Sequence, residues 1–86
     1  MPYHKDKQQA FQAAEKGTME AKEWYDHLVR DQADYGSQLK HLKQEVNEAF
    51  EQINNAMEVA SETQRIRLEQ FRQDLQGIVN EVNELK

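Results

Sequence analysis

A single all-α domain, an antiparallel three-helix bundle, is the architecture this sequence predicts, and three observations lead to it. Apolar residues recur at alternating spacings of three and four in three separate stretches, the signature of one face of a helix. The 86 residues include one proline, three glycines and no cysteine, and Glu, Gln, Lys, Ala and Leu dominate the rest, a composition suited to helices. Two capping signatures, at Asp6 and at Ser61, mark helix starts ahead of apolar-periodic runs.

The first helix is expected over 6–33. Asp6 followed by Gln9 reads as a capping box, and Phe11, Ala14, Thr18, Ala21, Tyr25 and Leu28 then form its stripe. The stripe is thin, because two alanines and a threonine occupy positions where larger side chains would bury more area. Trp24 and Val29 widen it toward the end. The second helix is expected over 37–60, with Leu39, Leu42, Val46, Ala49, Ile53, Ala56 and Ala60 in line and Phe50 and Met57 beside them. The third, over 62–85, follows a second capping box, Ser61 with Gln64, and carries Leu68, Phe71, Leu75, Ile78, Val82 and Leu85. Between the last two helices the apolar register slips by one: strict continuation from Ala60 reaches Arg67, so the chain must turn there. No segment alternates with period two, so no strand is expected. Residues 1–5 read as a mobile tail.

The first connection is open to two readings. Gly36 can end a helix and Ser37 can cap the next. Against that, Tyr35 to Leu39 keeps the register, and Lys40 and Lys43 sit poorly in the first turns of a new helix, where the macrodipole disfavours cations. The alternative is therefore one long bent helix with a shorter antiparallel partner, forming a hairpin that could dimerise. Pairing favours three helices. Folding at Ser61 brings Leu42 to Ile78, Val46 to Leu75, Ile53 to Leu68, and Lys40 to Glu81 and Glu84. Folding near Gly36 brings Leu28 to Leu42 and Tyr25 to Val46, and sets Gly17, Thr18 and Ala21 against the larger Phe50 and Ile53.

Composition also bounds function. The net charge of −5 is spread along the chain without a basic stripe, which argues against nucleic acid and against anionic lipid as partners. No run approaches the length of a membrane span, and Met1 to Asp6 is not followed by the apolar core of a secretory signal, so the cytoplasm is the default location. Without cysteine there is no disulfide or thiolate chemistry. Gly17, Gly36 and Gly77 stand alone, so no phosphate-cradling loop is present. No carboxylate pair is flanked by the apolar residues that would desolvate it. No catalytic residue, cofactor site or metal site is therefore expected, and the chain reads as a non-enzyme.

The histidines deserve weighing against that reading. His27 has Glu23 one turn before it, and His41 has Glu45 one turn after it. Di-iron bundles use Glu-x-x-His, yet the residues three before these histidines are Trp24 and Gln38. Ordinary surface pairs at i,i+4 are the simpler reading. Arg65, Arg67 and Arg72 open the third helix with Glu58, Glu62 and Glu69 close enough to neutralise them. The most distinctive local feature is aromatic: Trp24, Tyr25 and Tyr35 gather around the first connection. Adjacent residues on a helix point about 100° apart, so Tyr25 should face inward by register and Trp24 should sit at the boundary. These three, with Phe11, are the candidate partner contacts.

The run Leu39 to Ala60, the sequence Ser61-Glu62-Thr63-Gln64-Arg65 and the glutamine-rich amphipathic helix that follows resemble the small YtzC-like helical proteins of Bacillus-type bacteria. The resemblance covers the C-terminal two-thirds of the chain. It implies a bacterial, cytoplasmic helical protein without enzymatic motifs, and it carries no functional residues with it. The function expected from the residues is that of a small regulator or protein–protein interaction module. A protein partner or a second copy would cover the thin first stripe around Phe11, Ala14 and Ala21. A structural or stress-associated role and a metal- or ligand-binding bundle are the alternatives.

Overall fold

The structure, a computed structural model, describes residues 6–28 and 33–84 and contains three helices: α1 (Lys7–Asp26), α2 (Tyr35–Met57) and α3 (Glu62–Glu84). Each spans 20 to 23 residues, or roughly 30–35 Å at the α-helical rise. Each packs against both of the others, most extensively α1 against α2. The three stripes meet along the axis in one core of Ala14 and Ala21 from α1, Leu42, Val46, Ala49, Ile53 and Ala56 from α2, and Leu68, Leu75, Ile78 and Val82 from α3. The fold is the all-α three-helix bundle; a long helix running through Gly36 is not what forms.

The helix ends differ from expectation in instructive ways. At the start of α1, Asp6 Oδ1 accepts from the Gln8 backbone N–H at 3.0 Å, capping at the nearer of the two available amides. At the far end α1 stops at Asp26 instead of running to 33. The His27 N–H still reaches Glu23 O at 3.0 Å, and the His27 ring Nδ1 lies 2.8 Å from the same carbonyl. The next amide, Leu28 N–H, reaches back only three residues to Tyr25 O, so the i to i−4 ladder ends. The expected positions Val29 and Leu85, and the tail 1–5, lie outside the described residues.

The break between α1 and α2 is not made by Gly36 and Ser37. The first backbone bond of α2 runs from Gln38 N to Asp34 O at 3.0 Å, which makes Asp34 the cap residue and places Gly36 inside the first turn. No described glycine has positive φ, so Gly36 does not act as a left-handed helix terminator. Asp34 makes no side-chain bond to the turn's amides; its Oδ1 accepts from Gln38 Nε2 at 2.8 Å. The second turn follows expectation more closely. Ser61 Oγ accepts from Gln64 N at 3.2 Å while Gln64 Oε1 accepts from Ser61 N at 3.1 Å, the reciprocal capping box. α2 ends at Met57, three residues short of the expected boundary, and Val59 N–H tightens the exit by bonding Ala56 O at 3.2 Å.

Packing explains the thin first stripe. Ala14, Ala21 and Ala49 are fully buried, and a methyl built on Gly17 would lie 3.4 Å from the Ala49 Cα. Small residues of α1 therefore meet a small residue of α2 at this level, where a small-against-large arrangement with Phe50 was expected, and the helices approach closely. Thr18 lies in the same seam, and its hydroxyl donates to Ala14 O at 2.8 Å, so its polar group is satisfied within its own helix. The α2–α3 register is antiparallel as expected, with Leu42 and Val46 sharing a cleft with Ile78 and Val82. Lys40 makes no ion pair with Glu81 or Glu84 among the described residues; Glu81 instead accepts from Tyr25 Oη at 3.2 Å.

Two glycines test these packing statements. Nothing lies within 4 Å of a methyl built on Gly77, in the middle of α3. Gly77→Ala should therefore gain about 0.5–1 kcal/mol and raise the thermal midpoint by several degrees. At Gly17 a single methyl makes ordinary contact, so Gly17→Ala should be tolerated. Gly17→Leu should force α1 away from the α2 backbone and lose roughly 1–3 kcal/mol in denaturant unfolding.

Candidate interaction surface

The two faces of α1 differ in how their charges are treated. Toward α3 they are matched. Lys22 Nζ lies 2.7 Å from Asp74, Arg67 Nη2 lies 3.3 Å from Glu15, and Tyr25 bonds Glu81. The Arg67 guanidinium also stands 5.7 Å from the centroids of both Phe11 and Phe71, whose rings are 5.8 Å apart. One arginine thus covers an aromatic pair and closes an ion pair, a combined cation–π and packing contact of about 1 kcal/mol. The expected neutralisation of the arginines within their own stretch holds for Arg72, which lies 3.1 Å from Glu69; the partner of Arg67 comes from α1.

Toward α2 the charges are unmatched. The close seam at Gly17 and Ala49 brings Glu20 of α1 beside Glu45 and Glu48 of α2, around a shallow concavity that Lys16 and Gln52 also line. The Glu45 carboxyl is raised above its ordinary value by partial burial first, then by the negative charges of Glu48 and Glu20, while His41 acts in the opposite direction. The only ion pair in this group among the described residues is a long one, Lys16 to Glu20 at 4.0 Å.

Trp24 stands one turn further along the same face. Its ring stacks on His41 of α2, with centroids 5.2 Å apart and planes inclined by 17°, and still keeps 37% of its surface exposed. Glu20, Glu23, Trp24 and His27 together line an open concavity. Trp24 therefore lies at the boundary and Tyr25 turns inward, half-buried against the core. Tyr35 is also half-buried, and its hydroxyl is enclosed without a hydrogen-bond partner among the described residues. Phe11 is half-buried under Arg67 at the opposite end of α1. The four candidate contacts thus do not form one patch, and Trp24 is the most exposed of them. Ala14 and Ala21, where a partner was expected to cover a thin stripe, are already sealed by α2 and α3.

Among the described residues no group of three or more His, Asp or Glu side chains is arranged to hold a metal ion. His27 is engaged by its own helix terminus and His41 by Trp24. Sequence reasoning missed the meeting of Glu20 with Glu45 and of Trp24 with His41. Aligning the smallest residues of the two helices, Gly17 and Ala49, would have found both, because it places each pair within one residue of register. No protein-family model, curated protein or solved structure matches the chain.

The stack makes a direct prediction. His41→Ala should uncover the second face of Trp24, shifting its fluorescence to the red, while stability falls by no more than about 1 kcal/mol because the pair is exposed.

Proposed function

We propose that this chain is a non-catalytic helical protein-interaction module, and that Trp24 on the α1–α2 face is its contact point for a basic segment of a partner protein. The observation that carries this reading is the exposed indole beside Glu20 and Glu23 in an open concavity. An aromatic face flanked by carboxylates favours a lysine or arginine side chain, through cation–π attraction and charge-assisted hydrogen bonds together. Tryptophan is also among the residues that most often dominate binding energy at interfaces. The carboxylates of Glu45 and Glu48 extend the same negative face along the seam, so a helix with several basic residues complements it better than an isolated cation. The α1–α3 face, its charges already matched, offers no comparable complement. The net charge of −5 supports a basic protein segment over nucleic acid or an anionic membrane.

Trp24 is the one tryptophan of the chain, so its emission reports on this surface alone. Titration with an amphipathic lysine- and arginine-rich helical peptide should change the emission saturably, and salt should weaken the effect. The double substitution Glu20→Gln, Glu23→Gln should abolish it. Absence of a saturable change, or an equal change with an acidic peptide of the same apolar pattern, would overturn the proposal. So would sedimentation showing a dimer that buries Trp24, which would make a second copy the occupant.

A further inference from the structure

Tight packing and like charge occupy the same place on this molecule, and the conflict has a consequence that does not depend on any partner. The Gly17–Ala49 approach sets the distance between α1 and α2, and Glu20 and Glu45 line one concavity with Gly17 from opposite helices. Because small residues hold the backbones together, the carboxylates cannot relieve their repulsion by a wider helix separation without opening the core at Ala14 and Ala21. We propose that the α1–α2 seam is an acid-strengthened latch, in which a proton taken up at Glu45, beside Glu20 and Glu48, holds the two helices together more firmly than at neutral pH.

The charged groups facing Glu45 define the latch. From α2 these are Glu48, which opposes its ionisation, and His41, which favours it. From α1 they are Glu20, which opposes ionisation, and Lys16, which lines the same concavity but lies closer in role to Glu20 at 4.0 Å. α3 contributes no described residue to this concavity. The balance is negative, and Glu45 is both partly buried and faced by two other carboxylates, so it is the natural site of the proton. A carboxyl held above its ordinary value of 4.5 in the fold binds its proton more tightly there than in the unfolded chain. Folding stability is therefore gained as pH falls through the folded value of Glu45, and the gain is complete below 4.5.

The test is thermal unfolding of the full chain between neutrality and about pH 4.5, for the wild type, Glu45→Gln and Glu51→Gln. Every variant shares the general relief of net negative charge, and Glu51 is an exposed carboxylate of the same helix. The wild type and Glu51→Gln should gain roughly 2–4 °C more than Glu45→Gln on acidification, because Glu45→Gln carries the neutral state already. NMR titration of the wild-type side chains should show Glu45 protonating above its ordinary value of 4.5. An unchanged pH slope in Glu45→Gln, or a Glu45 titration at or below 4.5, would overturn the latch.

Discussion

The close approach of α1 and α2 at Gly17 and Ala49 is the constraint on which the rest of this structure depends. With so little side-chain volume between them, the two helices seal Ala14, Thr18 and Ala21 completely and form the tighter half of the bundle. The third helix then packs on the remaining side with larger residues, Leu68, Leu75, Ile78 and Val82, and its exposed margin is tied down by ion pairs from Lys22 and Glu15. Exposed pairs of this kind contribute at most about 1 kcal/mol each, so they serve alignment more than strength. The core does the holding, and the small-residue seam decides where the core can lie.

The period of the apolar residues made the three helices legible, because each stripe persists for several turns and nothing in the chain competes with a helical conformation. The Ser61 turn was legible for a second reason: a capping box and a one-residue slip of register fall at the same place, and both are local. The first connection was harder. Gly36 and Ser37 carry the usual residues of a helix break, yet the helix begins two residues earlier, at Tyr35. A glycine in a first turn takes ordinary helical angles that any residue adopts, as Gly36 does here. Residue type alone could not separate that placement from a terminator.

The candidate surface was only half legible. That Trp24 lies at the boundary followed from its being next to Tyr25 on a helix. What it touches did not follow, because contacts between helices depend on axial register and separation, and neither is encoded in one helix's own pattern. The expected register, with Tyr25 level with Val46, sets Glu20 level with Glu51 instead of Glu45. The separation set by small against small brings Glu20 and Glu45 together. The thin stripe, which suggested a missing partner, is the sign of this close approach and not of an uncovered face.

Neutral or basic residues at positions 20, 45 and 48 would relieve the seam without touching the core, since none of the three side chains is fully buried. The like charges are therefore not required by the fold. Between α1 and α3 charge placement agrees with packing, and agreement across levels is what a sequence specifying one structure displays. Departures from such agreement concentrate where a molecule does something besides fold. That this departure lies beside the single exposed indole is the physical reason to look for function on the α1–α2 face, above the seam that holds its helices closest.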